Sequence, residues 1–121
     1  MTNNRRAQRP GGLTITSALV DGIRVITVRG EIDHYTGDPL RQALSLAEGT
    51  AVPRTVVDLG GVTFMDSSGI NILINALHAV LDADGWLRLA GPTEAVLRTL
   101  QLVGVDQVID CYPNLRDALN A

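Results

Sequence analysis

The side chains in this chain best suited to chemistry or regulation form one short cluster, Asp66-Ser67-Ser68. The preceding residues 54–60 predict a buried strand closed by two glycines, and apolar residues recurring from Ile70 to Leu81 predict a helix after it. Asp and Ser cap helices because their oxygens accept hydrogen bonds from the free N–H groups of the first turn. The same position favours anions, so a serine there also suits phosphorylation. The residues alone leave both interpretations open.

Length and charge limit the classes of function. A chain of 121 residues is long enough for one domain and too short for two. Residues 1–12 contain three arginines and no acid, and we expect a disordered arm there, with the folded domain over residues 13–121. The rest has 7 arginines against 13 acidic residues, and the chain has four aromatic residues, a balance that argues against nucleic-acid binding.

The sequence also argues against targeting segments and cofactor sites. No apolar run approaches the roughly 20 residues that a membrane span needs, and no apolar segment follows Arg5, Arg6 and Arg9, so we expect a cytoplasmic protein. The absence of lysine excludes a lysine-dependent phosphate loop and Schiff-base chemistry. Cys111 is the only cysteine and has no metal-ligand spacing around it, so neither a metal nor another cofactor is expected.

The order of predicted elements is β-β-α-β-α-β-α-β-α. It begins with a hairpin at Asp21-Gly22 and a helix capped by Thr36 and stopped by Gly49, and it ends with a strand at residues 105–109 and a helix from Pro113. This order predicts an α/β fold: a mixed sheet of about five strands, the first antiparallel, with about four helices mainly on one face. Trp86 is expected to be exposed on the other face. The helix after Ser67 is expected to bury one apolar stripe: Ile70, Leu73, Ile74, Leu77 and Leu81.

One alternative to a cap or a phosphorylation site is the active site of a hydrolase. Ser67 with His34 or His78 and a nearby aspartate imitates a catalytic triad, but the chain has no Gly-x-Ser-x-Gly elbow around Ser67. His78 falls on the exposed side of the predicted helix, about three turns from Ser67. We therefore expect a protein that is not an enzyme.

Three segments resemble those of bacterial STAS-domain anti-sigma factor antagonists: Gly30-Glu31-Ile32-Asp33-His34-Tyr35-Thr36, Val57-Asp58-Leu59 and Phe64-Met65-Asp66-Ser67-Ser68-Gly69. The resemblance extends from about Leu13 to the C-terminus and implies the STAS fold. The chain departs from the family pattern at Ile70-Asn71, where Leu-Gly is frequent, and in its arginine-rich arm.

The resemblance implies a switch between partners. In such proteins the serine after the aspartate, here Ser67, is phosphorylated by an anti-sigma factor that is also an ATP-dependent serine kinase; Ser68 is the alternative acceptor. The unphosphorylated antagonist binds that kinase and frees the sigma factor, the phosphorylated form does not bind, and a phosphatase restores binding. The implied partner surface comprises Asp33, His34, Tyr35, Thr36, Asp66, Ser67, Gly69 and Asn71.

A second rival remains within the same family. STAS domains also serve as interaction subunits of transporters and stress-signalling assemblies, where this motif acts as a cap and contact point without phosphorylation.

Overall fold

Five strands and four helices alternate along the computed structural model, which describes residues 12–45 and 52–121. In chain order they are β1 (Leu13–Val20), β2 (Ile23–Ile32), α1 (Asp38–Leu44), β3 (Arg54–Met65), α2 (Ser67–Asp82), β4 (Trp86–Ala90), α3 (Glu94–Leu102), β5 (Asp110–Tyr112) and α4 (Leu115–Asn120). The predicted order of elements is confirmed. The predicted arm and the stop at Gly49 lie outside the described residues.

The strands form one mixed sheet in the order β1-β2-β3-β4-β5. The β1–β2 hairpin is antiparallel and turns at Asp21 and Gly22, which have φ of 51° and 80°, a left-handed pair that suits a two-residue turn. The remaining pairs are parallel. Each crossover moves one strand further in the same direction, so right-handed connections place α1, α2 and α3 on one face.

Two apolar clusters lie on the two faces of this sheet. The larger includes Ile26, Val57 and Leu89, which are aligned across the three central strands and packed beneath the first three helices. The smaller includes Val25, Val56 and Ala118 and lies beneath α4. The prediction of helices mainly on one face is therefore confirmed.

Trp86 differs from its prediction because α4 covers that part of the sheet. The ring is half-buried, and the Arg88 guanidinium carbon lies 3.7 Å from its centroid. Arg88 also donates a hydrogen bond of 2.9 Å to the Ala118 carbonyl. Trp86 is therefore part of the packing between α4 and the sheet, and the prediction of an exposed ring was wrong.

Two strand boundaries were also wrong. β3 continues through its glycines to Met65, and its pairing with β2 shifts register there. A Cβ on Gly61 would lie 2.6 Å from Arg29 Cγ, so glycine permits the close approach at this irregularity without ending the strand. Residues 105–109 begin with a 3₁₀ turn, Val105–Gln107, because Val105 and Ile109 both bury their side chains one helical turn apart.

Arg24 fixes the end of α1 to the sheet. Its guanidinium donates hydrogen bonds of 3.1–3.3 Å to three carbonyls at the end of α1, those of Ala43, Leu44 and Ser45, and to the buried Thr55 hydroxyl. A cation is favoured there because the free carbonyls carry the negative end of the helix dipole. Burial lowers the pKa of Arg24, which nevertheless remains charged at neutral pH.

We predict that Arg24→Met lowers the free energy of unfolding by about 1–3 kcal/mol, because it leaves the carbonyls and Thr55 without their donor. Urea unfolding at neutral pH measures the change. Arg98→Met is the control, since Arg98 forms only an exposed pair with Glu94 at 3.5 Å and should change stability by less than about 0.5 kcal/mol. Equal losses in the two variants would contradict the role of Arg24.

Candidate functional site

The candidate site lies where β2 and β3 end side by side. Ile32 and Met65 are paired across the parallel ladder, and the Asp66 N–H donates a hydrogen bond of 3.1 Å to the Ile32 carbonyl. The loop that follows β2 and the first turn of α2 therefore meet at the carboxyl ends of these two strands. This pairing brings together two segments that are about 30 residues apart in the chain.

Asp66 is the N-cap of α2. Its Oδ1 accepts a hydrogen bond of 2.8 Å from the Ser68 N–H, and its backbone is extended, as expected for a cap. The cap interpretation is thus confirmed for Asp66. The carboxylate is half-buried and points back at the helix that it caps.

Ser67 is the first residue of α2 and is exposed, whereas Ser68 is half-buried. The Ser67 hydroxyl forms no hydrogen bond within the described residues, so capping does not occupy it. Asn71 lies one turn later on the same exposed side of α2. The serine hydroxyl is therefore open to another molecule.

Gly69 lies on the buried side of the same turn. A Cβ at this position would lie 2.6 Å from Met65 Cγ and 2.9 Å from Ile32 Cγ2. The glycine lets α2 approach the ends of β2 and β3 closely. Gly69, which the sequence placed in the implied partner surface, is buried among the protein's own side chains in this structure.

The buried stripe of α2 is also displaced from its prediction. Leu73 and Leu77 are buried, but Leu81 is 53% exposed, and Ile70 and Ile74 are half-buried. The residues that α2 buries are Gly69, Ile72, Leu73, Ala76, Leu77 and Val80. The stripe shifts because Gly69 and Ala76 are small enough for α2 to lie close to the sheet, a signal that counting large apolar residues misses.

Hydrogen bonds fix the loop after β2. Asp33 Oδ1 accepts from the backbone N–H groups of Tyr35 and Thr36 at 2.8 and 3.0 Å. The Thr36 hydroxyl donates to the Glu31 carbonyl at 2.7 Å and accepts from the Asp33 N–H at 2.9 Å. Thr36 was wrongly predicted to cap α1: the cap position is Gly37, which has no side chain, while Thr36 closes the loop.

These contacts lower the pKa of Asp33. The Tyr35 N–H contributes most, and the hydroxyl and N–H of Thr36 and the nearby His34 add to it, against an opposing effect of desolvation. Folding therefore favours the carboxylate form. Its stabilising effect is present above the unfolded-state pKa of about 3.9 and is lost as the pH falls through the lower pKa of the folded state.

We predict that Asp33→Ala destabilises the fold at pH 7 and that this difference from the unmodified protein shrinks as the solution is acidified below about pH 4. Urea unfolding of both proteins between about pH 7 and pH 3 measures it. A difference that stays constant over that range would show that the carboxylate charge contributes nothing.

Two aromatic side chains are exposed near the carboxyl ends of β2 and β3. Tyr35 is 89% exposed on the fixed loop, with its ring centroid 5.3 Å from that of exposed His34, and Phe64 is 48% exposed near the end of β3. Phe64 belongs to the motif before α2, but it was not predicted to lie at the surface. Simple alternation gives no signal here, because Val62 and Met65 both face the main core. The pairing with β2 shifts register between Val62 and Phe64, and this irregularity leaves Phe64 at the surface.

The charges and histidines near Ser67 support neither a metal site nor a triad within the described residues. No cluster of three or more metal-ligating side chains occurs in residues 12–45 and 52–121. The two ion pairs found there, Arg41–Asp38 and Arg98–Glu94, involve neither Asp33 nor Asp66. His34 and His78 are both exposed, and neither accepts a hydrogen bond from the Ser67 hydroxyl in these ranges.

No helix in the described part of the chain is long and apolar enough to cross a membrane. Cys111 is half-buried against the main core, and burial, with smaller effects of Asp106 and Asp110, raises the pKa of its thiol. A raised pKa keeps the thiol protonated and less reactive, as expected of a packing residue.

Known proteins are similar to this chain in sequence and in fold. The STAS domain family profile matches residues 14–118. The anti-sigma-F factor antagonist RsfB of Mycobacterium tuberculosis is 28% identical over 110 residues, 91% of this chain and 89% of the relative. The anti-sigma-B factor antagonist of Bacillus subtilis is 33% identical over 86 residues, 70% of this chain and 77% of the relative.

A crystal structure gives the same result. An anti-sigma factor antagonist from Mycobacterium paratuberculosis matches with a TM-score of 0.77 and 33% identity, over 93% of this chain and 95% of that one. The five-stranded mixed sheet, with its antiparallel first strand and four helices, is the fold that these matches share. The chain therefore belongs to the STAS domain family, in which the relatives it resembles are anti-sigma factor antagonists.

Proposed function

We propose that this protein is an anti-sigma factor antagonist controlled by phosphorylation of Ser67. The unphosphorylated form binds an anti-sigma factor that is also a serine kinase, and the sigma factor is released. Phosphorylation ends that binding, and a phosphatase restores it. This role would place the protein in the bacterial cytoplasm and requires no catalysis, cofactor or nucleic-acid contact of its own.

The observation that carries the proposal is that Asp66, and not Ser67, caps the first turn of α2. Asp66 supplies the cap, so the Ser67 hydroxyl is exposed and free of hydrogen bonds to the described residues. Phosphorylation of a capping hydroxyl would remove the cap and destabilise the helix, whereas the Ser67 hydroxyl is available to a kinase without that loss. The fixed loop at Asp33 and Thr36 lies beside it and enlarges the surface available to a partner.

The position also allows phosphate without unfolding. A phosphoserine adds about −1.5 to −2 charges, and the first turn of a helix stabilises negative charge through its free N–H groups and dipole. The folded structure therefore tolerates the modification. A partner packed on this surface would have to bury that charge, and an unpaired buried charge costs several kcal/mol.

Phosphorylation should occur on Ser67 and depend on a matched kinase. The experiment incubates the full chain with ATP and, one at a time, the purified anti-sigma factor kinases of its own organism, and locates phosphate by mass spectrometry. We expect one phosphate on the unmodified protein and on Ser68→Ala, and none on Ser67→Ala. A stable complex that never phosphorylates Ser67 would instead favour the unphosphorylated interaction subunit described above.

A further inference from the structure

The outer edge of β1 pairs with no other strand among residues 12–45 and 52–121. β1 pairs with β2 along eight residues without a register shift and has no strand on its other side in the described structure. Its sequence, LTITSALV, contains no charged residue and no proline, two features that commonly stop a sheet edge from pairing further. The opposite edge strand, β5, has three residues and includes the exposed Asp110.

The hairpin determines which backbone groups of β1 face outward. In a two-residue turn the flanking residues, here Val20 and Ile23, form a hydrogen-bonded pair, and such pairs then alternate along the ladder. Even-numbered residues of β1 therefore bond to β2. The N–H and C=O groups that point away from the sheet belong to Leu13, Ile15, Ser17 and Leu19.

The side chains along this edge suit a second copy of the same strand. Residues 16–20 are all exposed, and Leu19 is 76% exposed, whereas Leu13 and Ile15 are partly buried against the main core. In an antiparallel pair centred on Ser17, Ile15 of one chain faces Leu19 of the other, and this apolar contact occurs twice. The outward hydrogen-bonding groups of residues 15, 17 and 19 meet their counterparts in the same arrangement.

The absence of charge favours a second copy as the occupant. A two-fold axis brings identical residues close together, so a charged edge strand repels itself. β1 carries no charge that a two-fold axis could set against itself. The geometry points to a homodimer in which two β1 strands pair antiparallel about Ser17 and join two five-stranded sheets into one. This inference does not rest on the proposed function.

Such a dimer is weak and leaves the candidate site accessible. A single strand pair buries much less than the ~1,200 Å² typical of stable complexes, so we expect a dissociation constant between roughly 100 µM and 1 mM. The contact is centred on the middle of β1, whereas Ser67 lies past the end of β3 on the helix-covered side. Both subunits therefore keep their candidate sites.

Charge exchange at Ser17 tests the pairing and its axis. Sedimentation equilibrium of the full chain from about 10 µM to about 1 mM should show the mass rising from 12.9 kDa towards twice that value. Ser17→Glu and Ser17→Lys should each remain monomeric, because like charges then face each other across the axis. An equimolar mixture of the two variants should dimerise at least as tightly as the unmodified protein.

Gln101→Glu and Gln101→Lys are matched controls, since Gln101 is exposed on α3 and distant in the fold from β1; both should associate like the unmodified protein. Circular dichroism and melting temperature verify that each variant is folded. A chain that stays monomeric up to 1 mM overturns the inference. So do Ser17 variants that associate like the controls, or folded variants whose mixture does not recover the dimer.

Discussion

Replacing Ser67 by Asp should weaken binding to the anti-sigma factor by at least tenfold, whereas Ser67→Ala should bind as tightly as the unphosphorylated protein. The added carboxylate would lie in the contact surface, where desolvating a charge costs more than the ~1.4 kcal/mol that corresponds to tenfold in affinity. Removing the exposed Ser67 hydroxyl, which forms no hydrogen bond with the described residues, should change the affinity little. Calorimetric titration of each variant into the purified anti-sigma factor measures both affinities.

The loss of affinity in Ser67→Asp should come from the changed contact surface and not from a loss of stability. Asp at the first position of α2 is favourable for the helix, so the melting temperature of Ser67→Asp should equal or slightly exceed that of the unmodified protein. Gln101→Glu on α3 adds the same charge elsewhere and should leave affinity unchanged. If Ser67→Asp binds like Ser67→Ala, Ser67 is not the switch.

Gly69→Val should be the most damaging substitution in the candidate site, through stability and not through direct contact with a partner. The first added carbon alone would lie 2.6 Å from Met65 Cγ and 2.9 Å from Ile32 Cγ2. Because both residues are buried, the clash can be relieved only if α2 moves away from the strands. Overpacking of this kind costs about 1–3 kcal/mol, and the two further methyl groups place valine at the upper end.

Urea unfolding measures that loss, with Asn71→Val as the control. Asn71 is exposed two residues later on the same helix, so its valine variant should change stability by less than about 0.5 kcal/mol. A Gly69→Val protein as stable as Asn71→Val would mean that α2 can move without cost. The glycine would then have to be explained by recognition after all.

Short-range patterns in the sequence predicted most of the architecture. Asp21-Gly22 specifies the hairpin because its left-handed turn matches the twist of the flanking strands. Asp66 before an apolar periodic run marks the start of α2, and the alternation of strands and helices implies parallel pairing. The turn and the cap depend on backbone chemistry within a few residues, and here the surrounding structure leaves both unchanged.

Long-range packing decided what those patterns left open. β3 extends past its glycines because β2 lies alongside it with a shifted register, and Thr36 closes a loop and does not cap α1 because the Glu31 carbonyl lies within its reach. The buried side of α2 is set by how closely Gly69 and Ala76 let it approach the sheet.

The sequence by itself therefore determined the order of elements, the cap at Asp66 and the family. Only the tertiary structure showed that the Ser67 hydroxyl is exposed, that Gly69 is enclosed and that the Asp33 loop lies beside α2. The physical reason is that caps and turns are satisfied by neighbours in the chain. Exposure and proximity depend on the Ile32–Met65 pairing, which joins segments that are distant in the chain.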